Sequence, residues 1–305
     1  MHSRETLQKI CDFFSVGGIV DCVYLGRWNH HNYFIDTKNG SFVLKVLHLE
    51  VDIVQRIKTE VQYINHLQDN SINVQPYISG ENDDHLYVDD GICALIRPKV
   101  DGDILSKSGT IIEHLFEVGS QLGRLHSCPV SPMLPPRRCA LSAGAVEETR
   151  QNIKERYPIE AFPLVDHPVL KTDWSLYPVS IIHGDCWCTN ILVSSNDQIT
   201  LIDWEEVSIN PAILDIGRTL FSLIEANMID AESYQAFISG YESRRILTSK
   251  EKGVIVQAMQ YTGIVTLLWR QTRFFNTATP YDIEQSAWYT QNLEEWQPPR
   301  LDACL

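Results

Sequence analysis

Hydrophobic and polar positions alternate in short runs within residues 1–100, as is typical of half-buried β-strands. The runs cover residues 19–25, 33–35, 41–47, 74–78, 85–88 and 92–97. Asn39 and Gly40 stand between the second and third runs, and an Asn-Gly pair is a strong signal for a tight hairpin. The pattern therefore predicts an antiparallel sheet at the N-terminal end of the chain.

One segment of this region has helical rather than strand periodicity. Apolar residues recur at intervals of three and four between positions 51 and 67, which predicts an amphipathic helix with Glu60 at the edge of its apolar stripe. Strand alternation places Lys45 on the same face as the apolar Val43 and Leu47. The Lys45 amine therefore needs a partner.

A different pattern begins after residues 98–102, a Pro-Lys-Val-Asp-Gly segment that is typical of a short connection. Helical periodicity predominates at 111–126, 145–156, 160–171 and from position 215 onward, with a proline-rich interruption at 129–136. Short apolar runs at 179–182, 191–193 and 199–202 predict strands. We therefore predict an α+β chain in which a sheet-rich part precedes a larger, mainly helical part.

The charge balance restricts the class of partner. The chain has 305 residues, with 25 Lys and Arg against 39 Asp and Glu, and a net charge of −14. This acidic excess argues against nucleic acid and against an anionic membrane surface, because both bind clustered basic residues. It favours a small molecule as the partner, and a cationic one especially.

Targeting and thiol signals predict a cytoplasmic protein. The first residues lack the apolar run of a secretory signal, and no stretch of roughly 18 apolar residues predicts a membrane span. The eight cysteines are scattered, as is typical of reduced thiols. Cys186 and Cys188 form the one tight pair, for which packing in a loop is favoured over a zinc–thiolate site that would need a second pair.

The most informative polar cluster lies between two of the predicted strands. It begins with His183-Gly184-Asp185 and extends to Asn190, and another acid, Asp203, ends the next strand. Phosphoryl transfer from ATP depends mainly on positioning and on neutralising charge at phosphate oxygens, and Mg²⁺ prefers carboxylate and amide oxygens. We therefore predict Asn190 and Asp203 as Mg²⁺ ligands. Asp185 would orient the acceptor hydroxyl and take its proton.

The same hypothesis gives two residues of the N-terminal part a role. Lys45 would contact the α- and β-phosphates of ATP, and Glu60 would pair with Lys45 and hold it in place. Taken singly, Lys45 would be interpreted as a solvated strand lysine and Glu60 as a surface helix acid. Their combination with the polar cluster favours the catalytic interpretation.

The sequence His-Gly-Asp-x₄-Asn at 183–190, followed by Ile-Asp-Trp-Glu at 202–205, resembles the aminoglycoside phosphotransferase and choline kinase superfamily. Members of this superfamily are small-molecule kinases with a protein-kinase-like fold, and the resemblance covers nearly the whole chain. It implies a two-lobe fold in which residues 1–97 form a nucleotide-binding lobe of antiparallel sheet plus one helix. Residues 98–102 would be the hinge, and residues 103–305 the larger, mainly helical catalytic and substrate-binding lobe.

The resemblance also implies roles for residues around the cluster. The nucleotide loop is expected at 26–32, and the hinge would hold adenine through backbone groups near Arg97, Lys99 and Val100. His183 is expected to shape the loop without transferring a proton, and Asp215 is expected to support the same loop structurally.

The implied activity is that of an ATP- and Mg²⁺-dependent kinase that phosphorylates a hydroxyl group of a small, amine-bearing molecule. Candidate acceptors are aminoglycosides or other antibiotics, amino alcohols such as choline, and amino acids such as homoserine. The interval between Asp203 and Asp215 is too short for a phosphorylatable activation loop, which disfavours peptide acceptors. The alternative is a non-catalytic nucleotide-binding pseudokinase that acts as a sensor or scaffold. In either case we expect a monomer or homodimer.

Residues that contact the acceptor are harder to predict from the sequence. An aromatic in the loop and a late helical segment offer candidates, namely Trp187, Trp269, Arg270 and Arg273. Aromatic faces would suit a sugar or a quaternary ammonium group, whereas arginines would suit a carboxylate. Core packing is the commoner role for a residue such as Trp269.

Overall fold

The computed structural model describes residues 2–27, 30–107 and 112–275. The chain divides into two compact units. The first comprises the residues up to Gly102 together with Pro132–Pro135, and the second comprises Asp103–Ser131 and the described residues from Pro136 onward. No helix in these ranges is both long enough and apolar enough to span a bilayer.

A five-stranded antiparallel sheet is the framework of the first unit, with strand order β1-β2-β3-β5-β4. The strands are β1 (Ile19–Arg27), β2 (His31–Thr37), β3 (Gly40–His48), β4 (Tyr87–Asp89) and β5 (Ile92–Pro98). The tight turn predicted at Asn39-Gly40 joins β2 to β3, and Gly40 takes a φ of +141° there. The structure thus confirms the predicted antiparallel sheet.

The described residues of this unit include the α-helices α1 (Arg4–Phe13) and α2 (Ile53–Asp69). α2 confirms the predicted amphipathic helix, although Val51, expected in its apolar stripe, precedes the helix and is 98% exposed. α1 is additional to the one helix that was expected. Ser3 caps its N-terminus by accepting a hydrogen bond from the Thr6 amide at 3.1 Å.

The core of the first unit lies between α1 and the sheet. Its residues are apolar and almost fully buried, and they include Leu7, Ile10, Phe14, Tyr33, Ile35, Phe42, Leu44, Val46, Ala94 and Ile96. Because Phe42, Leu44 and Val46 of β3 contribute to this core, strand alternation directs Lys45 to the opposite face of the sheet.

The strand predicted at residues 74–78 is absent from the described sheet. The segment has no regular secondary structure, although Ile78 donates its amide to the Ile96 carbonyl at 2.9 Å. Gln75 contributes a side-chain hydrogen bond to the Pro98 carbonyl at 3.0 Å. The prediction was wrong because it overlooked Pro76, which has no amide hydrogen to donate to a strand ladder.

The second unit is mainly helical. It contains α3 (Ile112–His126), α4 (Ala143–Arg156), α5 (Ile213–Glu225), α6 (Ala231–Glu242), α7 (Ser249–Lys252) and α8 (Ile255–Phe274). Two small antiparallel sheets accompany them: β7 (Val179–Ile182) pairs with β10 (Ser208–Pro211), and β6 (Asp103–Ile104), β8 (Ile191–Val193) and β9 (Ile199–Leu201) form the other. These elements confirm the predicted α+β class and the strands on either side of the polar cluster.

The helix predicted at residues 160–171 is not formed. The segment contains two short 3₁₀ turns, Ile159–Ala161 and Pro168–Lys171. Pro163 and Pro168 explain the difference, because proline has no amide hydrogen to donate and its ring clashes with the preceding helical turn.

Helices α3 and α6 approach each other closely where each carries a glycine. A Cβ atom on Gly119 would lie 2.0 Å from the Phe237 carbonyl oxygen, and one on Gly240 would lie 1.9 Å from the Phe116 carbonyl oxygen. Both distances are far below van der Waals contact, so glycine is required for this approach. The contact also holds the middle of α3 against α6.

Gly240→Ala is therefore expected to lower the free energy of unfolding by about 3 kcal/mol, because the added methyl group meets a backbone that cannot move independently. Gly144 provides a matched control, since a Cβ atom there meets nothing within 4 Å in helix α4. Gly144→Ala should leave the stability unchanged or raise it by up to about 1 kcal/mol. Urea unfolding of both variants checks this, and equal midpoints would contradict it.

Candidate active site

The loop at residues 183–190 is held by the strands that enter and leave it. β7 ends at Ile182 and is paired with β10, while β8 begins at Ile191 and is paired with β9. Within the loop, Gly184 has a φ of +80°, and a Cβ atom there would lie 2.3 Å from the Glu206 carbonyl oxygen. Glycine is therefore required at the second position of His-Gly-Asp on both conformational and steric grounds.

Asp215 of α5 binds the backbone of this loop directly. Its carboxylate accepts hydrogen bonds from the His183 amide at 2.6 Å and from the Gly184 amide at 2.8 Å. It is fully buried and also lies 3.1 Å from His126 Nε2. Burial alone would raise the pKa of Asp215, but hydrogen bonds from His126 and from the Gly184 amide outweigh this and hold that pKa below its ordinary value.

His183, the first residue of the loop, is fully buried. Its Nε2 lies 3.0 Å from the Ile202 carbonyl oxygen, and its Nδ1 accepts from the Asp185 amide at 3.3 Å. One neutral tautomer satisfies both contacts, and burial lowers the pKa of His183. The ring centroid also lies 4.4 Å from that of Trp204. These contacts favour a role in shaping the loop.

Asp185 is the accessible acid of the loop, with 34% of its side chain exposed. The Asn190 side-chain amide donates to the Asp185 carbonyl and to Asp185 Oδ2, both at 2.9 Å. A terminal nitrogen of Arg218 lies 3.3 Å from Oδ1. Burial raises the pKa of Asp185, and the positive charge of Arg218 opposes that effect. The carboxylate is thus fixed in orientation and partly exposed.

Sequence reasoning assigned no role to Arg218. It lies one helical turn after Asp215 on α5 and is buried, and its other terminal nitrogen donates to the Thr266 hydroxyl. Its guanidinium carbon is 5.4 Å from the centre of the Trp187 ring. The signal that could have revealed it is the Asp-x-x-Arg spacing, which places both side chains on adjacent positions of one helix face.

The two predicted metal ligands flank a pair of hydrogen-bonded strands. Ile191 of β8 is paired with Leu201 of β9, and the Ile202 amide donates to the Asn190 carbonyl at 2.9 Å. Asp203 follows with a left-handed φ of +64°, which is uncommon outside glycine and tolerated best by Asp and Asn. Such backbone conformations are concentrated at functional sites.

The donor chemistry of these two residues fits a hard divalent cation. The Asn190 amide nitrogen is engaged with Asp185, which leaves the amide oxygen as the atom that could ligate. Together with the Asp203 carboxylate it offers two oxygen donors, and Mg²⁺ commonly takes its remaining ligands from water and phosphate. The described residues contain no group of three or more His, Cys, Asp or Glu side chains arranged to hold a metal.

The acid Glu206, which sequence reasoning also missed, has an unusual titration. Burial raises the pKa of its carboxyl from 4.5 to about 7, although Oε2 accepts a hydrogen bond from the Ala140 amide at 2.7 Å. Between these two values the folded chain binds more protons at this site than the unfolded chain. The contribution of Glu206 to stability is therefore complete below about pH 4.5 and is lost as the pH rises through about 7.

Glu206→Gln should remove this dependence, because glutamine is neutral and can still accept from Ala140. The stability of the wild-type protein relative to the variant is expected to decrease from pH 5 and to level off above about pH 7. Thermal unfolding of both proteins across that range measures the difference in their stability. The titration of all other groups cancels in this difference, because both proteins share those groups. Parallel stability curves would show that Glu206 does not titrate in this range.

In the first unit, three of the predicted nucleotide-contacting residues, Lys45, Glu60 and Arg97, lie near the Tyr77 hydroxyl. Glu60 of α2 is only 4% exposed and accepts a hydrogen bond from the Tyr77 hydroxyl. Burial and the Glu60 charge raise the pKa of Tyr77, whereas the charges of Arg97 and Lys45 lower it. Lys45 and Arg97 therefore lie close enough to this pair to influence it. Tyr77 was not predicted from the sequence.

The structure describes the predicted hinge residues Lys99 and Val100 and part of the predicted nucleotide loop. The Lys99 amide donates to the Ser41 carbonyl at 2.9 Å, and the Lys99 ammonium lies 5.1 Å from the Phe34 ring centre and 3.7 Å from Asp101 Oδ1. Val100 is half-buried. In the expected nucleotide loop at 26–32, Trp28 and Asn29 lie outside the described residues.

Two of the acceptor-contact candidates, Trp187 in the loop and Arg270 of α8, lie close together. The Arg270 guanidinium is 5.7 Å from the Trp187 ring centre, and its Nη1 donates to Glu225 Oε1 at 2.6 Å. The Arg273 guanidinium lies 6.0 Å from the ring centre of Trp269, which is 38% exposed. Trp187 thus has guanidinium groups as neighbours, which makes its indole a poor platform for a quaternary ammonium group.

The Cys186 and Cys188 pair is integrated into the protein interior. Both residues are buried, and burial raises the pKa of both thiols. The Cys186 carbonyl accepts from the Thr219 hydroxyl at 3.0 Å, and the Cys188 amide donates to Ser222 Oγ at 3.0 Å. A zinc–thiolate site would require the ionised form that this environment disfavours.

Residues 23–248 match a family model described as the phosphotransferase enzyme family. A homoserine kinase from Polaromonas naphthalenivorans (strain CJ2) is 22% identical over 252 residues, which cover 78% of this chain and 77% of that protein. The range matched by the family model contains the whole 183–190 loop as well as Lys45, Glu60, Asp203 and Asp215. The resemblance inferred from the sequence motifs is therefore confirmed.

Solved structures extend the likeness to almost the full length of the chain. Amicoumacin kinase hAmiN, in complex with AMP-PNP, Ca²⁺ and Ami, has a TM-score of 0.74 at 15% identity, covering 98% of this chain and 95% of that chain. Choline kinase LicA from Streptococcus pneumoniae has a TM-score of 0.68 at 18% identity, covering 97% and 100%. At these identities the likeness concerns the fold, and it confirms the expected α+β, protein-kinase-like architecture.

Proposed function

Because the chain belongs to the phosphotransferase enzyme family, we propose that it transfers the γ-phosphate of ATP to a hydroxyl group of a small, amine-bearing molecule. Family membership makes the chain a small-molecule kinase. The observation that carries the finer proposal is the arrangement of Asp185, an accessible carboxylate oriented by Asn190 and Arg218 in a loop whose backbone amides bind Asp215.

In this proposal Asp185 receives the acceptor hydroxyl and takes its proton as the oxygen attacks phosphorus. Asn190 and Arg218 hold the carboxylate oxygens in fixed directions, so little reorganisation is needed when the hydroxyl arrives. Asn190 and Asp203 would hold Mg²⁺, which when bound neutralises negative charge on the phosphate oxygens. Neutral His183 and ionised Asp215 would keep the loop in shape.

The first unit would supply the nucleotide contacts. Lys45 would bind the α- and β-phosphates, and the buried Glu60, with Tyr77 on its carboxylate, would orient the Lys45 amine. Backbone groups near Arg97, Lys99 and Val100 would hold adenine. This assignment is supported by the pKa of Tyr77, which the charges of Glu60, Arg97 and Lys45 all influence, so that these three residues lie near one hydroxyl group.

The acceptor class rests on weaker support. Homoserine, amicoumacin and choline are named as substrates or ligands of the related proteins, so kinship does not select among acceptors. The net charge of −14 favours an amine-bearing molecule, because an acidic protein concentrates cations near its surface. A cytoplasmic location and a monomeric or homodimeric state remain predictions.

An acceptor screen that measures ADP release tests the proposal. Purified protein with ATP and Mg²⁺ is incubated with aminoglycosides, macrolides, choline, homoserine and methylthioribose. We expect ADP release with one of the hydroxyl-bearing acceptors that is absent when the acceptor or Mg²⁺ is omitted. ATP binding without ADP release for any acceptor would instead favour a nucleotide-binding sensor.

A further inference from the structure

A chain of buried polar side chains leads away from Asp215 on the side opposite to the loop amides. His126 Nε2 lies 3.1 Å from Asp215 Oδ2, and His126 Nδ1 lies 2.8 Å from the Tyr241 hydroxyl. Arg245 donates to the same hydroxyl at 3.0 Å and to Glu251 Oε1 at 2.8 Å. The side chains of His126, Asp215 and Glu251 have no exposed surface. These five residues are called the His126 chain below.

The proton positions along the His126 chain follow from donor and acceptor chemistry. Asp215 is ionised and only accepts, so His126 Nε2 must donate to it. Arg245 only donates, so the Tyr241 oxygen accepts from it, which leaves the Tyr241 hydroxyl proton available to His126 Nδ1. An imidazole with its proton on Nε2 would satisfy both neighbours, because Nδ1 then accepts from Tyr241.

The far end of the His126 chain is anchored in the fold. Glu251 Oε2 accepts from the Thr248 amide and hydroxyl, both at 2.9 Å, and the Thr248 hydroxyl accepts from the Glu251 amide, which completes a capping box at the start of α7. Arg245 and Tyr241 are therefore not free to rotate. The position of His126 is set by three helices, α3, α6 and α7, rather than by the loop.

Asp215 Oδ2 is shared between His126 and the His183 amide, while Oδ1 receives the Gly184 amide. The direction of the carboxylate thus depends on His126 as much as on the loop. We propose that His126 and Tyr241 are positioning residues for the proposed kinase reaction: they orient Asp215 so that it fixes the backbone that presents Asp185. The inference rests on the proposed function for its kinetic consequence, whereas its structural consequence can be measured independently.

Two variants test the proposal in the intact protein. Tyr241→Phe removes only the hydroxyl, and His126→Ala removes the link to Asp215. We expect each to lower kcat by about 10- to 100-fold, since small displacements of a catalytic group have effects of this size, with KM for ATP within about twofold. His126→Gln, whose amide can still donate to Asp215, should recover part of the kcat lost in His126→Ala.

Helix α3 provides a matched control in His114. Like His126 it is buried and places Nε2 3.1 Å from an aspartate oxygen, but that aspartate is Asp197 in the turn between β8 and β9. His114→Ala should reduce thermal stability without changing kcat. An equal loss of kcat in His114→Ala and His126→Ala, or an unchanged kcat in His126→Ala, would overturn the proposal.

Amide hydrogen exchange of the 183–190 loop provides the readout that does not depend on turnover. Faster exchange at His183 and Gly184 is expected in His126→Ala and Tyr241→Phe, and wild-type exchange is expected in His114→Ala. Unaltered loop exchange in both chain variants would refute the positioning role even if an acceptor is never found. If the loop loosens as expected while wild-type protein phosphorylates nothing, the proposed function fails and the positioning inference stands.

Discussion

Replacing Asp185 by asparagine is expected to lower kcat by roughly 10²- to 10⁴-fold, the usual contribution of a general base, while ATP still binds. Asparagine has the shape of aspartate and keeps an oxygen that can accept from the Asn190 amide, so the loop should retain its conformation. What is lost is the negative charge that takes the hydroxyl proton. The loss should therefore fall on turnover rather than on nucleotide affinity.

The measurement combines ADP release under saturating substrates with calorimetric titration of ATP in the presence of Mg²⁺. Asp230→Asn is a matched control, because Asp230 caps α6 from the surface and asparagine caps helices as well as aspartate does. The control should keep wild-type kcat. Turnover by Asp185→Asn at more than about a tenth of the wild-type rate would rule out Asp185 as the base.

The first-unit sheet could be predicted because its strands have one buried face and therefore alternate regularly in sequence. The helix α1 was missed although Leu7, Ile10, Cys11 and Phe14 carry a helical spacing, since the remaining residues of this short segment are mostly polar. The opposite error occurred at residues 160–171, where apolar content was given more weight than two prolines. The spacing of apolar residues thus predicted helices and strands correctly where a long apolar stripe was uninterrupted.

In the candidate site, too, the residues of the local motif could be predicted from the sequence, whereas the residues that support them could not. His183, Asp185, Asn190 and Asp203 could be predicted because their motif is local in sequence and its spacing reflects one loop between two strands. Their supporting residues come from distant positions: Arg218 contacts Asp185, Tyr77 contacts Glu60 and His126 contacts Asp215. Each of these contacts joins segments that are distant in the sequence, and a single sequence carries no signal of which distant segments meet.

Replacing Asp203 is expected to produce the complementary defect, in which the metal-dependent part of nucleotide binding is lost. The backbone conformation decides which substitution tests this. Asp203 has a φ of +64°, which alanine adopts only at a cost of about 1–2 kcal/mol and which asparagine tolerates. Asp203→Asn therefore removes the charge without straining the loop, whereas Asp203→Ala would mix a metal effect with a folding effect.

For Asp203→Asn we expect AMP-PNP affinity in Mg²⁺ to fall by at least the roughly 10- to 100-fold that loss of an outer-shell partner costs a metal site. Affinity measured in excess chelator should match the wild type, because the nucleotide contacts themselves are intact. Asp197→Asn is the matched control: Asp197 also has a left-handed φ, of +60°, but lies in the turn between β8 and β9 with 75% of its side chain exposed. Its Mg²⁺ dependence should equal that of the wild type. If instead Asp203→Asn bound AMP-PNP with wild-type Mg²⁺ dependence, the metal would have to be held by other oxygen donors, and the proposed pairing of Asp203 with Asn190 would be wrong.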